Sequence, residues 1–545
     1  MKRLATLFLL SFSIAAQAQT AQYAFRVKFK DKNTTTFSLE APEAYLSAAS
    51  IDRREKFGIG IDSTDLPVAG AYINDVLTAT GGVLHNTSKW LNQCVILTED
   101  STSIVAVSEL PFVQSVRKVA YYASGLHERP SGGGATGARP TAFDDEFYGA
   151  AWGQINMCNG EYLHEQGYMG TDVTIAILDV GFPGVNTAAA FDSIRLGGRI
   201  KDAYNFIYND EAVYESDAHG TKVLSTMAAY LPETYVGTAP LANYLLYATD
   251  QYSTEQLIEE DNWIAAAERA DSAGADIINS SLGYNTFDNT EDSYAYEQLN
   301  GVTTLFAKAA NAATRKGILV VTSAGNEGMT SWEHILTPGD ADSALTVGSV
   351  NSLKEHAITS GNGPNAGGLL KPNVSVQGVA ASTVTSTGSV VTGTGASYAT
   401  PILSGMAACL MQAAPDKKPL EIRTVIEQVS DHYETPDNEI GFGVPDFMKA
   451  LQTLSIATET GDKINGSVWP NPVLDKANLS LQNVAKGDYQ FTITDVSGRI
   501  LNSFSKNIRN ENSVIEIDLS GYSSGLYFLN INQGQYQKSF KLVKL

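Results

Sequence analysis

Cysteine is nearly missing from this chain: its 545 residues include three, Cys94, Cys158 and Cys409. So few thiols cannot build a disulfide framework, and the fold must rest on buried apolar cores. Each cysteine reads as a small buried hydrophobe, with a single bridge, Cys158 to Cys409, left open. Positive charge is scarce as well. Lys and Arg number 37 against 59 Asp and Glu, a net charge of -22, which argues against a nucleic-acid surface and against binding to anionic lipid. Long apolar runs are also lacking. The run at residues 4–15 follows Lys2 and Arg3 and ends at Ala16-Gln17-Ala18. It falls short of the roughly 18–20 residues that span a bilayer and reads as a secretory leader over residues 1–18, cut before Gln19. No later stretch is long enough for a transmembrane segment, so an exported chain without an anchor is expected.

Residues 23–29 alternate apolar and polar side chains, the period of a half-buried strand. With further strands expected at 94–97 and 113–119 and helices near 42–49 and 103–109, residues 19–122 form a small α+β unit. Residues 123–143 turn to Gly, Pro, Ser and Ala, including Ser131-Gly132-Gly133-Gly134. That composition reads as a linker and a natural place for a protease to cut. Beyond it, continuous apolar stretches at 173–178, 277–282, 318–322 and 344–350 alternate with helical ones. The spacing predicts a helix over 253–274, opened by a Ser253/Gln256 capping box, and another over 303–316, stopped by Gly317. Buried strands alternating with helices imply an α/β domain, residues 144–456, with a parallel sheet covered on both faces. Ligands of such sheets bind at the carboxyl ends of the strands. From residue 457 the chain breaks into short strands, at 478–481, 489–496, 500–504, 514–519, 526–531 and 536–543, which predict a small all-β sandwich.

Four polar residues fall at informative points of the α/β region. Ser397 precedes the apolar run 402–414, so its hydroxyl stands at the N-terminus of a buried helix, with Pro401 expected in the first turn. Asp179 follows the strand 173–178 and should emerge at its carboxyl end. His219 sits in Asp217-Ala218-His219-Gly220-Thr221, before a helix over 222–229, and Asn326 follows the strand 318–322. Singly these are turn and cap residues. Together they are the parts of an acyl-transfer site: Ser397 as nucleophile, His219 as base and then acid, Asp179 to fix the imidazole tautomer, and the Asn326 amide with the Ser397 N–H to receive the oxyanion.

The order Asp, His, Ser is carried by Ile177-Leu178-Asp179-Val180-Gly181, His219-Gly220-Thr221 and Gly395-Ala396-Ser397-Tyr398-Ala399-Thr400-Pro401, with Val236-Gly237-Thr238-Ala239-Pro240, Ser281-Leu282-Gly283 and Ser323-Ala324-Gly325-Asn326 between them. In these segments the chain resembles the subtilisin-like serine proteases. The resemblance implies a subtilisin-like parallel sheet flanked by helices, and peptide-bond hydrolysis by Asp179, His219 and Ser397. It further implies that Ser281, Leu282 and Gly283 pair with the substrate backbone as an added strand and, with Ser323, Ala324 and Gly325, line the primary specificity pocket. Two positions depart from the family pattern, Ala396 where Thr is usual and Tyr398 where Met is frequent.

Residues 22–119 take the place of the family's inhibitory propeptide. Residues 457–545 are similar to the sorting domain of the type IX secretion system, on Trp469-Pro470-Asn471-Pro472, Asp495-Val496-Ser497-Gly498-Arg499, Ser524-Gly525-Leu526-Tyr527 and the basic end Lys541-Leu542-Val543-Lys544. The implied route leads through the periplasm to a secreted or outer-membrane surface form. The expected partners are polypeptide substrates, the chain's own propeptide and the secretion machinery. Catalysis by this set calls for no cofactor; a structural calcium, as in relatives, would look to the acidic residues Asp288, Glu291 and Asp292. A lipase or esterase would want Gly-x-Ser-x-Gly with the acid between Ser and His, whereas position 399 is Ala and both partners precede Ser397. A binding protein on a degenerate scaffold would have lost a triad residue, and none is lost.

Overall fold

Continuous apolar runs build the centre of the larger of two compact units, which divide at Leu451 and Gln452. The computed structural model describes residues 22–123, 144–251, 253–458, 466–481, 484, 486–495, 499–510, 512–533 and 536–545. The expected leader, the linker from residue 124 on, and Val496, Ser497 and Gly498 of the tail motif lie outside the described residues.

The first strands, β1 (Gln22–Phe29), β2 (Val83–Ser88), β3 (Gln93–Thr98) and β4 (Val113–Tyr122), form an antiparallel sheet in the order β2-β3-β1-β4. Its central strand β3 is buried on both faces, which is why 94–97 reads as an unbroken apolar run. Cys94 and Ile96 face the helix α2 (Gly70–Thr80) and the unit's own core, while Val95 and Leu97, with Ala24, Trp90, Val119 and Ala120, join the core of the α/β domain. The expected helix at 42–49 is a 3-10 turn, Pro42–Ala44, followed by α1 (Ala48–Phe57), which Ser47 caps through its hydroxyl.

Seven parallel strands follow: β5 (Thr174–Asp179), β6 (Ile200–Asn205), β7 (Asn243–Ala248), β8 (Ile277–Ser280), β9 (Leu319–Ser323), β10 (Leu345–Val350) and β11 (Val374–Gln377). Their order is β11-β10-β9-β8-β5-β7-β6. From β5 the chain goes to the edge strand β6, returns to β7 between the two, and then restarts at β8 on the other side of β5, so the strand order reverses beside β5, the place where a ligand crevice opens in such sheets. The helices that position the site are α3 (His219–Ala228), α4 (Ile258–Ala273), α5 (Leu305–Arg315) and α6 (Ala396–Ala413). Thr304 caps α5 by accepting from the Ala307 N–H at 3.0 Å. The expected Ser253/Gln256 capping box is not formed: α4 begins at Ile258 without a side-chain cap, and the Gln256 side chain instead accepts the Tyr121 N–H at 2.9 Å. Cys158 and Cys409 are free, each thiol donating to a backbone carbonyl, of Ile155 and Thr238 respectively, at 3.2 Å.

Helix α4 carries its charge inward. Glu259, Glu260, Asp261, Glu268 and Asp271 are all buried, and their partners across the contact come from the N-terminal strands, the turn after β2 and helix α1. Arg26 donates to Glu260 at 2.9 Å and to both Asp261 oxygens at 2.6–2.9 Å. Arg53 and Arg54 pair with Asp271, and Glu268 accepts from the Ser88 hydroxyl and the N–H groups of Lys89 and Trp90 at 2.6–2.9 Å.

Beyond the end of a helix, Phe447–Thr458, the second unit is built of strands among the described residues. Strands β12 (Gly466–Trp469), β13 (Lys476–Leu481) and β16 (Ser513–Asp518) make one sheet, and β14 (Gly487–Asp495), β15 (Ile500–Ile508), β17 (Gly525–Gln533) and β18 (Tyr536–Lys544) the other. Alternate residues such as Leu479, Leu481, Phe491, Ile493, Ile515, Ile517, Leu529 and Ile531 form the core between them.

His85 of β2 is buried where the N-terminal sheet meets α4, and its bonds fix it as neutral. Its Nε2–H donates to Asn262 Oδ1 at 3.0 Å, an oxygen oriented by the amide's own bond to the Thr249 carbonyl. Its Nδ1 accepts from the Asn209 NH2 at 3.1 Å, and that group is held by a second bond to the His85 carbonyl at 2.7 Å. Burial, the largest influence, holds the imidazole below its usual 6.5, although Asn262 and the Phe206 carbonyl favour the charged form. A freed ring therefore binds protons more readily than the docked one, so this contribution to docking is complete above pH 6.5 and is lost as pH falls below it. Thermal unfolding of the full chain carrying Ser397→Ala should show a larger loss of melting temperature between about pH 7.5 and pH 5 with His85 present than in His85→Gln; equal losses would remove His85 from the interface's pH response.

Candidate active site

Asp179 is the last residue of β5 and is fully buried. Its Oδ1 accepts from the Val180 N–H and from His219 Nδ1, each at 2.8 Å. His219 is the first residue of α3, which begins three residues earlier than the expected start at 222, and Asp217 anchors it by accepting its backbone N–H at 2.8 Å. Close approach of this helix to the strand end depends on Gly220: a Cβ there would lie 3.0 Å from both the Asp179 Cβ and the Phe182 ring. With Nδ1–H given to Asp179, Nε2 presents its lone pair, and a quarter of the side chain remains exposed. Burial is the largest influence on the imidazole and works to lower its pKa, but the charge and hydrogen bond of Asp179, joined by the charge of Asp217, raise it above 6.5 overall.

Ser397 is the second residue of α6 and is 7% exposed. Pro401 is the sixth residue of this helix, not part of its first turn; its missing N–H leaves the Ser397 carbonyl without the usual partner one turn on. The first N–H groups of the helix have no acceptor inside it. That of Ala396 goes to Asn326 Oδ1 at 2.9 Å and that of Tyr398 to the Gly395 carbonyl at 3.1 Å, which leaves the Ser397 N–H at the helix's positive end. Since Asn326 Oδ1 is taken, its NH2 is turned the other way, on an exposed residue just after β9. A Cβ at Gly395 would lie 3.1 Å from the Ser397 hydroxyl and 3.3–3.6 Å from the Asn326 amide atoms. Hydroxyl and amide thus face one small space. Helix α6 is fastened to the sheet by Ser404, which donates to Asn279 of β8 at 2.8 Å.

The Tyr398 ring lies 6.0 Å from the His219 ring, inclined by 38°, in room that Gly393 leaves by having no side chain. Ser281, Leu282 and Gly283 follow the carboxyl end of β8, and Ser323, Ala324 and Gly325 begin on the last residue of β9, its direct neighbour in the sheet. Asp217 had a signal in the sequence, an acid two residues before the histidine; Asp250, two residues beyond β7, had none. Burial, then Asp179, raises the Asp250 pKa to about 7, and burial with Asp250 and Asp288 raises Glu255 to about 8.

In the acidic loop expected to suit calcium, three carboxylate oxygens are committed. Asp288 accepts the Glu255 N–H at 3.2 Å, and Asp292 divides between Arg117 and Asn289, each at 2.9 Å. Among the described residues no group of three or more His, Cys, Asp or Glu is arranged to hold a metal.

Known proteins agree with this architecture. Residues 170–443 match the subtilase family, residues 24–131 a peptidase S8 propeptide domain of Bacteroidota, and residues 467–545 a secretion system C-terminal sorting domain. The chain is 26% identical to subtilisin E of Bacillus subtilis over 404 residues, 73% of this chain and 90% of the relative. It is 29% identical to a subtilisin of Bacillus pumilus over 283 residues, 51% and 90% of the two chains. It is 28% identical to a thermostable alkaline protease of Halalkalibacterium halodurans over 287 residues, 52% and 69%. Among the described residues no helix is long and apolar enough to cross a membrane, and the sorting domain marks a secreted or cell-surface protein. The chain belongs to the subtilase family, an exported serine-type endopeptidase made with a propeptide domain before it and a sorting domain behind.

Proposed function

We propose that Ser397, His219 and Asp179 carry peptide-bond hydrolysis and that Asn326 shares the oxyanion with the Ser397 N–H. The observation that carries this reading is the 2.8 Å bond from His219 Nδ1 to buried Asp179, beside a space shared by the Ser397 hydroxyl and the Asn326 amide. Ser397 Oγ attacks the scissile carbonyl while His219 Nε2 takes its proton. The negative oxygen meets the Asn326 NH2 and the Ser397 N–H, donors already in place before reaction. The tetrahedral intermediate collapses as His219 returns the proton to the leaving amine, and water, activated by the same imidazole, releases the acyl group. Asp179 keeps Nδ1 protonated and steadies the imidazolium. Ser281, Leu282 and Gly283 take the substrate backbone as an added strand, and with Ser323, Ala324 and Gly325 they flank the primary pocket. Residues 1–18 serve as leader, 19–122 as a propeptide removed by cutting in 123–143, and 457–545 as the tail read by type IX machinery.

This sequence of steps calls on no metal, and we infer that the loop holding Asp288, Glu291 and Asp292 binds no calcium, since both Asp292 oxygens and one Asp288 oxygen already accept from protein donors. A chelator should leave the melting temperature unchanged; a clear drop that added calcium reverses would restore the calcium reading.

Ser397→Ala should abolish both hydrolysis and labelling by a fluorophosphonate, and persistent labelling would remove Ser397 from its role. Asn326→Ala should lower kcat by about 10²–10³ with KM nearly unchanged, read by steady-state kinetics. Because the base must be neutral, kcat/KM should rise with pH through an apparent pKa above 6.5 and then level. Asp217→Asn removes a charge that raises this pKa, so the acid limb of the profile should move to lower pH; a shift the other way would contradict the role given to Asp217.

A further inference from the structure

Gly283 and Gly325 end the two segments read above as the flanks of the primary pocket, and between them stands Leu336. A Cβ at Gly283 would lie 2.8 Å from Leu336 Cβ and 2.9 Å from its Cδ1; one at Gly325 would lie 2.6 Å from its Cγ and 2.8 Å from its Cδ1. The leucine side chain therefore fills the slot that the two missing side chains leave. Its backbone is strapped to both flanks. The Leu336 N–H donates to the Ala324 carbonyl at 3.2 Å, and the next residue, Thr337, exchanges hydrogen bonds of 2.9 and 3.2 Å with Tyr284, the neighbour of Gly283. Held on both sides and only 6% exposed, Leu336 has little freedom to swing aside.

We propose that Leu336 is the floor of the primary pocket and restricts the residue donating the scissile carbonyl to Gly, Ala or Ser. This rests on the reading of residues 281–283 and 323–325 as the pocket's flanks. A large side chain entering there meets a slot already packed, and forcing added methylene groups into packed space is unfavourable. A charged one fares no better: the six flanking residues are Ser, Leu, Gly, Ser, Ala and Gly, and none offers the opposite charge that a buried ion requires.

The test uses mature enzyme on peptides that differ solely at that residue, set as Ala, Ser, Leu, Phe, Lys or Glu, with the Ser397→Ala enzyme as control. The native enzyme should prefer Ala to Phe by at least roughly tenfold in kcat/KM. Leu336→Gly should erase or reverse the order, gaining roughly tenfold or more on Leu and Phe relative to Ala, and Leu336→Ala should fall between. Native cleavage that is fastest after Phe or Leu overturns the proposal, as does a Leu336→Ala or Leu336→Gly enzyme with the native preference. If Leu336→Gly fails to fold, the native profile and Leu336→Ala decide. Cleavage that survives Ser397→Ala would bring down the proposed mechanism and this inference with it, whereas Ser397-dependent cleavage after large residues removes this inference alone.

Discussion

Seven parallel strands that end on one edge of one sheet are the constraint on which the site depends. Parallel pairing fixes register as well as direction: Leu178 of β5 lies beside Ser280 of β8, and Ser280 beside Thr322 of β9. The residues that follow, Asp179, Ser281 and Ser323, therefore leave the sheet at one level and side by side. The strand order reverses beside β5, and there no crossover helix covers the edge. Two helices are brought to that gap by short contacts that few other residues would permit. Gly220 lets the first turn of α3 meet the end of β5, and the Asn279–Ser404 bond ties α6 to β8. A slip of one residue in any of these strands would turn a functional side chain to the opposite face.

The N-terminal sheet bears on the same unit through a mixed interface. Its apolar part, with Ala24, Val95, Leu97 and Trp90 against Leu257, Trp263 and Ile264, belongs to a shared core. Its polar part is the row of carboxylates on α4. Removing one partner of such a buried pair costs about 3–5 kcal/mol, because the other charge stays buried and unpaired. Removing the whole N-terminal domain is different, since Glu260, Asp261, Glu268 and Asp271 return to water together and lose no hydration. An interface of paired charges is thus firm while the two parts are joined and leaves a soluble surface once they separate. That property suits a propeptide domain.

Much of this was readable in the sequence, and the failures have physical causes. Strands buried on both faces, such as β5, β8, β9 and β10, announce themselves as apolar runs. The edge strands β6 and β11 do not: Ile200–Asn205 is half exposed and carries Lys201 and Asp202, and Val374–Gln377 has four residues. The burial of α4 was hidden because its acidic first turn looks like a solvated helix start, and the covering sheet lies more than 130 residues away in sequence. The proposed set of Asp179, His219, Asn326 and Ser397 could be put together from the sequence because acyl transfer demands those residue types together; the fold pairs Asp179 with His219 and places Asn326 beside the start of the helix that bears Ser397. Leu336 was not, because a leucine has no chemistry to mark it; its meaning lies in two glycines distant in sequence that leave it room.

The two departures from the family pattern fall on different parts of the site. Ala396 is wholly buried, and what it gives the site is its backbone N–H, bonded to Asn326 Oδ1. Any residue but proline offers that group, so the orientation of the Asn326 amide does not depend on the hydroxyl that threonine would bring. Tyr398 changes a wall. Its ring occupies the room beside Gly393 and stands against His219, whereas the proposed proton path runs from Ser397 to Nε2 and is steadied from the other nitrogen by Asp179. The substitution therefore alters what the imidazole packs against while leaving its hydrogen-bond partner unchanged. At Tyr398 the departure from the family pattern therefore lies in a wall beside the proposed base and not in that base's hydrogen-bond partner.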